Sequence, residues 1–245
     1  GSGPGVIVIA EMPGITPEVI RFARRVVDLG CSVALPHLFG EPGKGVSRDD
    51  KRDAVTTLVR SMVPACVSRE FVVFATGKTS PVVEWLRALC REEHARCGGP
   101  GVGAVGMCFT GGYALAMATE PALLAPVLSQ PSLPIGFLPK HKARIDISPE
   151  DLEVVKGRCA NEDLEVIGMR FESDRFVPSE RFRFLEAQLG DAFRCVELKD
   201  SDANPEAGID PHSVLTEHFV DEPESATTKA LGDVLDLFRR KLQPA

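Results

Sequence analysis

The stretch Val105-Gly106-Met107-Cys108-Phe109-Thr110-Gly111-Gly112 is the part of this sequence best suited to covalent chemistry. An apolar, strand-like run ends on a thiol, and small residues stand two before it and two, three and four after it. A helix-forming stretch follows at once. A strand that turns sharply into a helix in this way is a nucleophile elbow: the tight bend needs small neighbours and lifts the nucleophile above the sheet. The new helix also points free N–H groups and its positive dipole at the sulfur, which favours a thiolate. Cys31, Cys66, Cys90, Cys97, Cys159 and Cys195 lack such surroundings and read as ordinary small residues.

An elbow nucleophile needs a base and an acid to orient it, in the chain order nucleophile, acid, histidine. Only His212 and His218 lie late enough. His212, in Asp210-Pro211-His212-Ser213, falls in a loop before the last helix, which favours it over His218. Asp174 sits just beyond a strand, in Glu172-Ser173-Asp174-Arg175-Phe176-Val177-Pro178, ahead of a proline-started helix. Cys108, Asp174 and His212 therefore form a candidate triad for attack on a carbonyl carbon.

These residues need a scaffold, and the sequence alternates strand and helix signals. Gly5 to Ala10 is a continuous β-branched run, the mark of a buried parallel strand. Thr16-Pro17 caps a helix whose apolar residues, Val19, Ile20, Ala23, Val26 and Val27, share one side, and Gly30 closes it. Strands follow at Cys31–Leu35, Val102–Met107, Leu164–Met169 and Phe193–Leu198. Helices are expected at about 80–91, 109–118, 178–189 and 223–242. The run Phe71 to Ala75 fits strand or helix, 39–47 reads as an exposed loop, and 129–150 reads as a loop near the site. The pattern predicts an α/β fold, a mostly parallel sheet with helices on both faces, and residues 1–245 as a single domain. Ligands of such sheets bind beyond the carboxyl ends of the strands.

Two motifs mislead. Gly101-Val102-Gly103-Ala104-Val105-Gly106 spells a dinucleotide fingerprint, but its glycines fall inside a strand rather than between strand and helix. Thr76-Gly77-Lys78-Thr79 ends like a phosphate-binding loop, yet Val72 stands where its first glycine belongs. Cys90, His94 and Cys97 lack a second ligand pair at zinc spacing, so no metal site is expected.

Composition excludes further classes. The 28 Lys and Arg against 35 Asp and Glu give a net charge of −7, and there is no basic run, which argues against nucleic acid as a partner. No apolar run approaches the ~18 residues of a membrane span, and the first ten residues lead into a strand without a signal-peptide pattern. Gly1-Ser2-Gly3 reads as a cloning scar. Seven cysteines without framework spacing suggest a reducing, cytoplasmic setting.

Five segments, in order, resemble the dienelactone hydrolase family of α/β-hydrolases. They are Ala10-Glu11-Met12-Pro13-Gly14, Pro36-His37-Leu38-Phe39, the elbow Gly106 to Gly112, Asp174 to Pro178, and His212-Ser213. The resemblance implies the α/β-hydrolase fold and cofactor-free hydrolysis of small esters or lactones through a thioacyl-enzyme. It makes Cys108 the nucleophile, His212 the base and Asp174 its orienting acid. It also assigns the oxyanion donors to the backbone N–H groups of Phe109 and Met12, and contact with the resting thiol to Glu11. A thioesterase or acyltransferase would use the same triad, and a non-catalytic ligand-binding member would keep only the fold. Three positions depart from the family. Thr110 replaces a glycine, His37 replaces an aspartate, and Thr216 stands where dienelactone-cleaving members carry an arginine. A substrate carboxylate is normally held by a bidentate arginine, which argues against dienelactone itself.

Overall fold

The computed structural model describes residues 3–45, 51–74, 76–135 and 139–243, without the side chains at 51, 53–55, 58, 65–67 and 140. Gly1-Ser2, the end of the expected 39–47 loop, the Cys66 side chain, Ala75 and the middle of the 129–150 segment lie outside the described residues. Among the described residues six strands form one wholly parallel sheet. They are β1 (Gly5–Ile9), β2 (Ser32–Ala34), β3 (Val102–Met107), β4 (Leu123–Ser129), β5 (Val166–Phe171) and β6 (Phe193–Leu198), in the order β2-β1-β3-β4-β5-β6. The connecting helices are α1 (Pro17–Asp28), α2 (Lys51–Val67), α3 (Val82–Cys97), α4 (Gly111–Met117), α5 (Pro139–Lys142), α6 (Pro149–Asn161), α7 (Ser179–Leu189) and α8 (Ala226–Leu242). No helix among the described residues is long and apolar enough to cross a membrane.

The period of two along each strand divides the core between the two faces of the sheet. Val6 and Val8 pack with Val19, Phe22 and Val26 of α1 and with Val234, Leu237 and Phe238 of α8. Ile7 and Ile9 face the other way, onto Val83 and Leu86 of α3 and Leu115 of α4. Every residue of β1, β3 and β5 is buried; β1 and β3 are apolar on both faces, as buried parallel strands usually are, whereas β5 buries Arg170, whose guanidinium donates to the Val177 and Glu172 carbonyls and pairs with Glu197. Each fully buried aliphatic side chain contributes about 1.5–3 kcal/mol relative to exposure.

The sequence signals place most elements. Thr16 caps α1, its Oγ1 accepting from Val19 N–H, and Pro17 takes the first turn. The run Gly101–Gly106 lies in β3, so its glycines cannot form a dinucleotide loop. Other readings need correction. Helix α3 begins at Val82 and continues to Cys97, and the Ser80 hydroxyl just ahead of it accepts from Val72 N–H. Residues 71–74 are neither strand nor helix, and Phe71 packs edge-on against Phe39 and Phe109. Strand β4 and helices α2, α5 and α6 have no counterpart in the sequence reading, which took 129–150, where α5 lies, as loop. Pro126, inside β4, disguised that strand: a residue without an N–H is rarely found in a central strand.

The strand order reverses between β1 and β3, which are neighbours in the sheet although paired residues such as Val6 and Gly103 stand 97 positions apart in the chain. A crevice at the carboxyl ends of the strands opens at such a switch point. Arg181 of α7, 1% exposed, lines a cavity with Ser132 and Asp174. Its guanidinium donates to the carbonyls of Pro131, Pro134, His141, Arg144 and Phe176, and so ties the segment after β4 to the turn after β5. Burial lowers its pKa to about 10, with Asp146 and Asp174 opposing that shift. Burial likewise pushes the Asp146 carboxyl well above the usual carboxylate range, and the Arg181 charge offsets only part of this. Arg181→Met leaves five carbonyls without this donor, and we expect a loss of about 3–5 kcal/mol in urea unfolding. Arg181→Lys should rescue little, since an ammonium lacks the planar five-donor fork. A loss under about 1 kcal/mol for Arg181→Met would contradict the role.

Candidate active site

Strand β3 ends at Met107, and the next residue, Cys108, takes φ = 50°. A non-glycine residue in this left-handed region costs of order 1–3 kcal/mol and persists only where its surroundings enforce it. The enforcement is visible in the glycines around it. A Cβ on Gly106 would lie 2.2 Å from the Thr110 carbonyl oxygen, and one on Gly112 would lie 1.7 Å from Asp146 Oδ1. Cys108–Thr110 forms one tight helical turn before α4 continues, so the predicted helix begins with this turn.

Thr110, the departure from glycine, has its own task. Its buried hydroxyl accepts from Met107 N–H at 3.0 Å and donates to the Ile9 carbonyl at 2.9 Å. This bolts the elbow to the end of β1, where Glu11 and Met12 follow.

The structure brings Asp174 and His212 together. Asp174 lies in the turn after β5 and is 5% exposed. Its Oδ1 accepts from Phe176 N–H at 2.9 Å, and its Oδ2 meets His212 Nδ1 at 2.7 Å. This fixes the proton on Nδ1 and leaves Nε2, which is buried and has no hydrogen-bond partner among the described residues. A His212 ring nitrogen, Cys108 Sγ and a Glu11 carboxylate oxygen all lie within 4.8 Å of one another. Burial alone would lower the His212 pKa. The Cys108 sulfur and the Asp174 carboxylate outweigh it and hold the imidazole well above its ordinary range.

His218, the rival histidine, is built into the scaffold. It is 1% exposed, its Nδ1 accepts from Ser213 N–H at 3.1 Å, and its Nε2 donates to the Ile209 carbonyl at 3.2 Å. It thereby shapes the loop that carries His212. Burial pushes its pKa down, which suits a neutral ring with one acceptor nitrogen.

Glu11 is buried, at 4% exposure. Its carboxylate accepts from Ser213 Oγ at 2.7 Å, from Gln130 Nε2 at 3.1 Å and from Thr216 Oγ1. Thr216 therefore faces Glu11, not an open pocket. Met12, Phe109 and Cys108 pack against one core cluster. His37 is exposed, with Nε2 2.9 Å from the Gly40 carbonyl.

Sequence reasoning missed Gln130 and Ser132. Gln130 adopts φ = 37° just past β4, and its Oε1 accepts from Val214 N–H, so it links Glu11 to the histidine loop. Ser132 N–H donates to the Cys108 carbonyl, and its Oγ lies 3.5 Å from Cys108 Sγ. Both stand at the carboxyl end of a strand, a placement that would have singled them out had β4 been recognised. Ser132 also lines a cavity of about 600 Å³ shared with Ile135, Lys142, Asp174, Arg175 and Phe176. The assembly thus holds a thiol, an imidazole and two carboxylates, one of which, Asp174, borders that cavity. Replacing Thr110 with valine keeps the shape and removes the hydroxyl. We expect a loss of about 1–3 kcal/mol in urea unfolding, because a buried N–H and a buried carbonyl lose this partner. A change below about 0.5 kcal/mol would contradict the bolt.

The model of the dienelactone hydrolase family matches residues 2–146. Among curated proteins, none matches this chain. TT1662 from Thermus thermophilus is 12% identical over 99% of this chain and 90% of its own, with a TM-score of 0.53. The esterase Pf2001 from Pyrococcus furiosus is 14% identical over 98% of this chain and 84% of its own, with a TM-score of 0.49. XC6422 from Xanthomonas campestris, described as an α/β serine hydrolase without a lid, is 13% identical over 100% of this chain and 85% of its own, with a TM-score of 0.45. At these identities the likeness concerns the fold, for which TT1662 carries the comparison. The open parallel sheet with helices on both faces is an α/β-hydrolase architecture, and with more than half of its length matched by the family model the chain belongs to the dienelactone hydrolase family.

Proposed function

We propose that this protein hydrolyses small ester or lactone substrates, with Cys108 as nucleophile, His212 as base and then acid, and Asp174 as the group that orients His212. The observation that carries the reading is the 2.7 Å contact between His212 Nδ1 and Asp174, which leaves Nε2 free beside the sulfur of a strained elbow.

His212 takes the thiol proton as Cys108 Sγ attacks the carbonyl carbon. The carbonyl π electrons move onto oxygen, and the backbone N–H groups of Phe109 and Met12 stabilise that oxyanion. The intermediate collapses, the bond to the leaving oxygen breaks, and His212 returns the proton to it. A thioester on Cys108 remains. Water, deprotonated by His212, attacks this thioester and releases the acid and the free thiol. Glu11, a carboxylate beside the thiol, opposes premature thiolate formation until substrate occupies the site.

Ser132 and Asp174 line a cavity of about 600 Å³, and Asp174 and His212 line one of about 410 Å³; both sizes suit a small molecule. Thr216, engaged with Glu11, offers no arginine for a substrate carboxylate, so dienelactone itself is not the expected substrate. The same reading takes the chain as one cytoplasmic domain without cofactor, acting on a small molecule rather than on nucleic acid or membrane.

Mixed with an activated short-chain ester, the protein should show a burst followed by steady turnover. Cys108→Ala should abolish both. Asp174→Asn should lower kcat by about 10²–10⁴-fold by losing the correct imidazole tautomer. Ser132→Ala should lower kcat/KM by about 2–10-fold, the range of one lost hydrogen bond. Turnover undiminished in Cys108→Ala would overturn the proposal.

A further inference from the structure

We propose that Glu11, Cys108 and His212 form a reversible site for a zinc ion, which blocks the nucleophile while it is bound. Binding does not depend on the hydrolase reading; the block on turnover does.

A thiolate, an imidazole and a carboxylate are a zinc donor set, and three protein ligands with an open fourth position are a common zinc arrangement. Bond lengths of about 2.0–2.3 Å put tetrahedral donors roughly 3.3–3.8 Å apart. The three donor atoms here already lie within 4.8 Å of one another. Closing by about an ångström is within reach of side-chain rotation.

The groups behind the donors also fit. A zinc-ligating histidine usually gives its other ring N–H to a carboxylate, which sets the tautomer and strengthens the ligand. Asp174 does this at His212 Nδ1, and Nε2 is buried without a hydrogen-bond partner among the described residues. Glu11 is aimed by Gln130, Ser213 and Thr216, and its Oε1 accepts only from Thr216 among the described residues, so a lone pair remains on that oxygen. On binding, one proton leaves the Cys108–His212 pair for water, Zn–S, Zn–N and Zn–O bonds to Cys108, His212 and Glu11 replace three of the ion's waters, and nothing is oxidised or reduced. The closely spaced Cys90, His94 and Cys97 on α3 do not offer a rival site. Burial pushes Cys90 up to about 12, and the Cys97 thiol is engaged by Glu93.

The test uses the intact protein with zinc and, as a spectroscopic stand-in, cobalt(II). One equivalent of zinc should bind with a dissociation constant of about micromolar order. Cobalt should give a thiolate-to-metal absorption band that vanishes in Cys108→Ala and weakens at least about tenfold in affinity in Glu11→Gln. In the unmutated protein, zinc should slow iodoacetamide labelling of Cys108, followed by peptide mass spectrometry, and leave labelling of exposed Cys195 unchanged. That last measurement needs no variant to fold. A cobalt band that persists in Cys108→Ala, full affinity in Glu11→Gln, or equal labelling of Cys108 with and without zinc would overturn the site. If zinc protects Cys108 in a protein that turns over no ester, the metal site stands and the hydrolase reading falls.

Discussion

The left-handed backbone at Cys108 is the constraint on which the site depends. A cysteine at φ = 50° does not hold that conformation for its own sake. It is held because β3 delivers the chain straight into a tight turn whose neighbours allow no alternative. Gly106 and Gly112 admit backbone and Asp146 where any side chain would collide, and Thr110 fastens the turn to β1. The cost of the strained residue is offset by the surrounding packing. In return the sulfur sits at the carboxyl end of the sheet, next to the strand that leads into Glu11 and at the point where strand order reverses.

Around that sulfur, polar groups join segments far apart in the chain. Glu11 follows β1, Gln130 follows β4, and Ser213 and Thr216 belong to the histidine loop. They meet in one buried hydrogen-bonded network. A buried carboxylate is costly unless it is hydrogen-bonded, and here each oxygen accepts at least one bond. The same network fixes where His212 stands, with His218 bracing the loop from behind. Arg181 does comparable work on the other side through five carbonyls. Electrostatics at the centre follow from this arrangement: Asp174 and the sulfur keep the His212 pKa high despite burial.

Much of this could be read from residue order. The elbow was legible because strand, thiol and small residues are contiguous. Asp174 was legible because it lies between a strand and a proline-started helix, and His212 because its loop precedes the last helix. Glu11 was placed only through family resemblance, since one acid after a strand says little alone. The rest was hidden for physical reasons. Pro126 broke the pattern of β4, and with it went Gln130 and Ser132. Thr110 looked like an awkward substitution because its partner, the Ile9 carbonyl, is 101 residues away. No spacing rule could find donors at positions 11, 108 and 212, which only folding brings within 4.8 Å.

The central claim is that the Cys108 sulfur becomes acylated. Intact-protein and peptide mass spectrometry after rapid acid quench of a reaction with a slow ester tests it most directly. The account predicts one acyl group, located on Cys108, that forms and decays at rates matching turnover. An acyl group on another residue, or turnover with no adduct on Cys108 under conditions where deacylation is rate-limiting, would contradict it.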